Sequence, residues 1–215
     1  MSDDCLGQVR PPLLNCDTAL GKALIAMFSS LELELWTECS PAGSLTLIVF
    51  GGCAVHLYTS HRVSTDIDAE LFNVAVPSHV NVRGLLAELP EEFLDEGSGR
   101  LLELSYDFNF TTCLGPLHED YLERAIRLEP FSFESPLHVW IASPVDLAIS
   151  KLGRASDQDI SDIFALLRSG FILASDFRYL ALAAIDCYVG NHEPPTSVLR
   201  NILQDYLETL DGESL

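Results

Sequence analysis

Apolar and polar positions recur with two different periods along this chain, and the changes of period mark out its elements. Leu20, Leu24, Met27, Phe28, Leu31 and Leu35 return every three or four positions, the spacing of one helix face. Asp17 or Thr18 stands where such a helix is capped. The spacing predicts a helix to about Trp36, broken by Pro41-Ala42-Gly43. Residues 45–50 are nearly all apolar and rich in β-formers, which predicts a central strand buried on both faces. Gly51-Gly52 makes a turn, a short helix follows, and a loop leads to a strand opening with Asp66-Ile67-Asp68. In an extended strand Asp66, Asp68 and Glu70 point one way, and Ile67, Ala69 and Leu71 the other.

Farther on, Val82, Leu85, Leu86 and Leu89 predict an amphipathic helix within residues 77–93, ended or kinked at Pro90. Gly97-Ser98-Gly99 is a turn. Residues 101–110 alternate: Leu102, Leu104, Tyr106, Phe108 and Phe110 face one way, Glu103, Ser105, Asp107 and Asn109 the other. This predicts a third strand with a polar face. Residues 118–127 read as a short helix and 137–142 as another strand. Ser143-Pro144 starts a helix with Val145, Ala148, Ile149 and Leu152 as its buried stripe. Ser156 and Asp159 form a capping-box pattern for the next, whose stripe is Ile160, Ile163, Phe164 and Leu167 and whose stop is Gly170. Two further helices are expected over 175–188 and, after Pro194-Pro195, over 195–210. The sum is α+β (α/β): a small mixed sheet followed by a mostly helical C-terminal half. We expect an N-terminal arm over residues 1–16, a core over 17–142 and a helical part over 143–215 packed on that core.

Composition narrows this picture. At 215 residues, 48% hydrophobic and 20% charged, with a mean hydropathy of +0.22, the chain is globular rather than disordered. It contains no apolar run long enough to span a bilayer, and its first ten residues lack a basic-then-apolar leader pattern. A cytoplasmic protein without a membrane partner is expected. The six cysteines are scattered with no CxxC spacing, as reduced thiols are, rather than a disulfide or zinc framework. Twelve basic against thirty-two acidic residues give a net charge of −20. That cuts against broad non-specific nucleic-acid binding. It leaves room for a local basic patch and suits docking to a basic partner.

The candidate chemistry lies at residues 51–68. Adjacent carboxylates repel, and a divalent cation resolves the repulsion. Mg²⁺ takes oxygen ligands, often one or two carboxylates plus substrate phosphates. Two glycines before a helix let a backbone approach closely, and a helix N-terminus favours anions. Arg62 would either reach a phosphate bidentately or pair with the aspartates, and Ser64 would hydrogen-bond a phosphate, with Thr65 beside them. Asp107 is either a further site carboxylate or a solvent-facing strand aspartate. His56 and His61 read as packing or surface histidines and receive no role. Neither a G-x-G-x-x-G nor a Walker-type loop is present, so Rossmann and P-loop readings fail.

Gly51-Gly52, then thirteen residues, then Asp66-Ile67-Asp68 resembles the signature of the DNA polymerase β-type nucleotidyltransferase superfamily. With Arg62, Ser64 and Thr65 before the aspartates it is similar to the abortive-infection toxin branch (AbiEii-like) and to related uncharacterised bacterial domains. The resemblance implies a nucleotidyltransferase core, Mg²⁺ held by Asp66 and Asp68, and a third carboxylate for which Asp107 is the candidate. Asp68 or Asp107 would help deprotonate the attacking hydroxyl. Gly51, Gly52, Arg62, Ser64 and Thr65 would bind the nucleotide.

Downstream, Lys151, Arg154, Asp159 and Asp162 resemble a second motif of that toxin branch. There the lysine lies near the triphosphate and the aspartate near the active site. Lys151 would offset γ-phosphate charge, Arg154 would assist, and Asp159 would orient Lys151 or act as a base. Surface salt bridges and N-capping by Asp157 or Asp159 are the structural alternatives. The implied reaction moves an NMP from an NTP to a hydroxyl. The toxin branch suggests a tRNA 3′ end as acceptor; protein hydroxyls and small antibiotics serve elsewhere in the superfamily. A toxin–antitoxin or defence role would bring a cognate antitoxin or other protein partner. Two other readings stand beside it: a non-catalytic nucleotide- or protein-binding module on the same fold, and an acidic, antitoxin-like partner for a basic toxin.

Overall fold

Thr18 opens the first helix. Its hydroxyl accepts from the Gly21 N–H, and α1 (Ala19–Thr37) follows. This is a computed structural model, and it describes residues 12–212. The expected arm therefore falls largely outside the described residues. From Asn15 the chain is tied down, its N–H donating to the Leu57 carbonyl at 2.6 Å. Leu20, Leu24, Met27, Phe28, Leu31 and Leu35 are all buried, so the stripe read from the spacing is the stripe that packs. The helix closes at Glu38, and Cys39 turns the chain away in the left-handed region at φ 54°.

The chain divides into two compact units. One contains Leu14–Thr111 and Leu122–Ser143; the other contains Thr112–Tyr121 and the chain from Pro144 onward. The first unit is built on β1 (Leu45–Val49), β3 (Ala69–Asn73), β6 (Ile126–Arg127) and β7 (Leu137–Ile141), in the order β3-β1-β7-β6. β1 runs parallel to β7 and antiparallel to β3. A strand buried on both faces needs apolar residues on both, and Leu45, Leu47, Ile48 and Val49 are all buried. β1 runs directly into α2 (Gly51–Thr59) through Phe50.

The predicted Asp66-Ile67-Asp68 strand is split between two sheets. β2 (Asp66–Ile67) pairs in parallel with β5 (Arg100–Tyr106), which pairs antiparallel with β4 (Glu91–Asp95). The next stretch, β3, pairs with β1 instead. Asp68 sits at the switch, its carbonyl accepting from the Phe50 N–H at 2.7 Å. The alternation of side chains survives the change of partner: Ile67 and Ala69 are buried, Asp66 is exposed and Asp68 and Glu70 are half-buried.

Three expectations need correction. The helix expected within 77–93 is only α3 (Val82–Ala87), capped by Asn81. Residues 91–95 are the strand β4. Proline at 90 pushes its predecessor out of the helical region, and Phe93 is then buried opposite Leu102 across the hairpin. β5 stops at Tyr106 rather than Phe110, because the Asp107 carboxylate accepts from the Asn109 N–H at 2.8 Å and turns the chain. The helix expected over 118–127 is one turn, α4 (Tyr121–Arg124), followed by β6.

The second unit packs α5 (Pro144–Ser150) against α6 (Asp157–Arg168) and α7 (Ala174–Cys187), with α8 (Glu193–Gly212) on α6 and α7. The predicted capping box is present at Ser156 and Asp159. Pro194 and Pro195 lie inside the first turn of α8 rather than before it, where their missing N–H groups cost nothing. The turn between α5 and α6 passes so close to residue 115 that a Cβ on Gly153 would stand 2.5 Å from the Gly115 Cα. No helix among the described residues is long and apolar enough to cross a membrane.

Candidate functional site

The two glycines at the start of α2 are required by what faces them. Gly51 sits at φ +60°, and a Cβ there would collide with the Asp68 carboxylate. At Gly52 a Cβ would stand 2.6 Å from Ser64 Oγ and 2.7 Å from both terminal nitrogens of Arg62. Each glycine thus makes room for groups read from the sequence as site residues. Phe50, the N-cap residue, supplies no capping side chain to α2. Such a helix start attracts anions.

The carboxylates come next. Ser64 Oγ donates to Asp66 Oδ1 at 3.3 Å, and the buried Cys53 thiol donates to the Asp66 carbonyl at 3.2 Å. Asp107 follows Tyr106, the register partner of Ile67, and its N–H donates to the Ile67 carbonyl at 3.0 Å. It therefore flanks Asp68 along the β2–β5 pair, but its Oδ1 is engaged by the Asn109 N–H. Among the described residues, no three His, Cys, Asp or Glu side chains form a group that could hold a metal ion. Asp66 and Asp68 are the carboxylates that could hold Mg²⁺, two being a number that suffices where substrate phosphates supply further ligands. Thr65 contributes its carbonyl, which accepts from the Ser105 N–H at 2.9 Å.

Residues given no site role from the sequence brace this arrangement. His56, buried, holds the loop below Arg62: Nδ1 lies 2.7 Å from the Arg62 carbonyl and Nε2 2.9 Å from Thr18 Oγ1. A carbonyl only accepts, so Nδ1 bears the proton. Burial lowers the imidazole pKa, against the opposing pull of that hydrogen bond and of Asp95. Burial also pushes the Cys53 thiol well up, and the charges of Asp66 and Asp68 push it farther. It is a packing thiol, not a nucleophile. The Tyr106 hydroxyl donates to the Ala69 carbonyl at 2.6 Å. Burial, with the charges of Asp107, Asp68 and Glu70 and against that of Arg83, pushes its pKa up to about 12. A histidine on the buried side of a short helix, four residues after the glycine pair, was the available signal for His56. One partner, Arg62, is six residues on; the other, Thr18, lies in a distant segment that no spacing reveals.

The downstream residues form a cluster of their own in the second unit. Lys151 Nζ lies 2.8 Å from Asp162 Oδ2 and 3.3 Å from Asp159 Oδ1, with Lys151 only 6% exposed and both carboxylates buried. Arg154 grips Asp159 with Nε at 2.7 Å and a terminal nitrogen at 2.8 Å. Ser156 adds its N–H at 3.1 Å and its hydroxyl at 2.7 Å. Burial raises the Asp159 pKa, but the Arg154 and Ser156 hydrogen bonds and the charges of Lys151 and Arg154 outweigh it and hold the carboxyl well below the usual range. A carboxylate so held is a poor base. It is placed to orient Lys151 and to cap α6, and these are two of the roles weighed for it from the sequence. The structure brings Gly51, Gly52, Arg62, Ser64, Asp66 and Asp68 together in the first unit, and Lys151, Arg154, Asp159 and Asp162 together in the second.

A family model described as a nucleotidyltransferase of unknown function (DUF6036) matches residues 22–188. The match takes in both the glycine–aspartate motif and the Lys151 cluster. No curated protein matches the chain.

Proposed function

The chain belongs to this nucleotidyltransferase family, and from that premise we propose that it moves a nucleoside monophosphate from an NTP to a hydroxyl acceptor in a Mg²⁺-dependent reaction. In the proposed step the acceptor oxygen bonds the α-phosphorus, the bond to pyrophosphate breaks, and the hydroxyl proton leaves to a carboxylate. What carries the reading is the collision a side chain would make at either glycine: Asp68 fills one position, Arg62 and Ser64 the other.

Asp66 and Asp68 would hold the metal. When bound, that ion would neutralise charge on the phosphates. The start of α2 binds triphosphate oxygens with its N–H groups, and Arg62 and Ser64 extend that cradle. Asp107 or Asp68 takes the proton. Thr65 positions the loop through its backbone. Lys151 enters the proposal as the centre of a structural ion cluster with Asp159 and Arg154. The phosphate-facing role that the toxin branch suggests for it would require its ammonium to exchange Asp162 for phosphate. A tRNA 3′ end as acceptor, and a toxin–antitoxin role with a cognate antitoxin, rest on motif resemblance and belong to the same proposal.

The test is label transfer from each α-labelled NTP with Mg²⁺, to total RNA and separately to total protein. Label should move in the wild type. Asp66→Ala and Asp68→Ala should each lower transfer at least about 100-fold with the thermal midpoint retained. Transfer that persists in both variants would sink the assignment. Calorimetric nucleotide binding that ignores Mg²⁺ and survives Asp66→Ala would favour the non-catalytic module instead.

A further inference from the structure

The carboxylate-bearing face of the larger sheet continues into a group of planar, partly exposed side chains. Glu70, Ile48, Trp140 and Arg127 are successive register partners across β3, β1, β7 and β6. They form one transverse row, and register partners project from the same face. Phe72, Thr46 and His138 form the next row. Phe133, from the segment between β6 and β7, closes the end of the face. Its ring centre lies 6.4 Å from that of Trp140 and 5.9 Å from that of His138. The Arg127 guanidinium lies 4.1 Å from the same ring centre. Phe133 remains 62% exposed.

By alternation Asp68, two residues before Glu70, belongs to this face. Trp140 is two strands across from β3, roughly 10 Å, and one further pair of residues along, roughly 7 Å. That puts it about 12 Å from Asp68. All these residues belong to the first unit.

The exposed Phe133 and the half-buried Trp140, their rings inclined at 54°, offer aromatic surface beside the Arg127 cation. A planar base stacks on such a surface whatever its sequence, with the arginine adding a cation–π contribution. With a net charge of −20, this protein is poorly equipped to hold a polyanion through its phosphates. Stacking supplies affinity that needs no phosphate contacts. We propose that Trp140, Phe133 and Arg127 form a stacking platform for a nucleobase of the acceptor, on the carboxylate face of the sheet. The inference rests on the nucleotidyltransferase reading of Asp66 and Asp68. It narrows the acceptor to a hydroxyl carrier with a planar base, gripped by that base rather than by its backbone.

Trp140 is one of two tryptophans, so Trp36→Phe leaves it as sole reporter. The probes are a tetranucleotide RNA with a free 3′ hydroxyl and, separately, each NTP with Mg²⁺. The RNA should quench Trp140 fluorescence. Phe133→Ala and Arg127→Ala, both made in that background, should weaken its binding roughly 5- to 100-fold. Raising salt from about 50 to about 200 mM should change the affinity less than about threefold, the limit for a single phosphate contact. The proposal is overturned if neither probe quenches, or if quenching by RNA is unchanged in both variants. Quenching by an NTP that RNA does not displace would assign the platform to the donor base and overturn the acceptor assignment. Asp66→Ala should abolish transfer and leave RNA quenching intact. If the wild type quenches with RNA but transfers to no acceptor, the platform stands and the nucleotidyltransferase reading falls.

Discussion

Gly51 and Asp159 are the residues on which the two clusters turn. At Gly51 the left-handed backbone and the neighbouring Asp68 carboxylate act together. Gly51→Ala should cost about 1–2 kcal/mol in backbone strain. It should also displace Asp68, lowering nucleotide transfer about 100-fold, the scale of a misplacement near 1 Å. Comparing unfolding midpoints with transfer rates checks both; an alanine variant with full transfer would contradict the close approach. At Asp159 the folded pKa lies below the ordinary aspartate value of about 3.9. As pH falls the unfolded chain takes up this proton first, so the stabilisation is complete above about pH 5 and is lost as pH falls through about 3.9 and below. Urea unfolding between pH 6 and pH 3 should show that loss, and Asp159→Asn should remove this contribution to the slope. The glycine–aspartate spacing was legible because both motifs lie within one turn-and-strand unit. The burial of Lys151 was not: the sequence offered Asp159 as a residue to orient Lys151, but not that 6% exposure and a second carboxylate hold the ammonium in place.

Among elements, α1 was the plainest in the sequence and β4 the least. Six apolar residues at helical spacing and a capping threonine define α1 without ambiguity. Thr18 also touches His56, so the cap is tied to the loop that carries Arg62. Thr18→Ala should destabilise the protein by about 1 kcal/mol and loosen that loop, measurable as a lower denaturant midpoint. Thr18→Ser should restore most of the loss. A midpoint unchanged by alanine would mean that the cap contributes nothing here. β4 was hidden because Leu85, Leu86, Leu89 and Phe93 also fit a helical stripe. What decides the matter is Pro90 together with the hairpin partner across the 96–99 turn.

At the scale of the whole molecule, the charge of −20 dominates. Exposed carboxylates repel one another, whereas the buried Lys151 cluster is little affected by salt. Raising NaCl from about 10 to about 150 mM shortens the screening length from about 30 Å to about 8 Å, so the thermal midpoint should rise. A midpoint that falls over that range would mean that surface ion pairs outweigh the repulsion. The same charge sets the expected character of any nucleic-acid contact: few phosphates neutralised and a shallow salt dependence.

Local patterning determined what local physics controls. The period of apolar residues gave α1, β1, β7 and the helices after residue 143. The Ser156–Asp159 capping box and the Gly51-Gly52 start of α2 follow from neighbours within a few positions. The family match over residues 22–188 agrees with the motif that those neighbours spell. Tertiary structure decided everything that depends on which strand pairs with which. It split Asp66–Asp68 between two sheets, because Asp68 O meets the Phe50 N–H while Ile67 O meets that of Asp107. It placed His56 between Thr18 and Arg62, and it aligned Glu70, Ile48, Trp140 and Arg127 in one row. Apart from His56 and Arg62, those contacts join segments well separated in the chain, and only its closing into sheets brings them together.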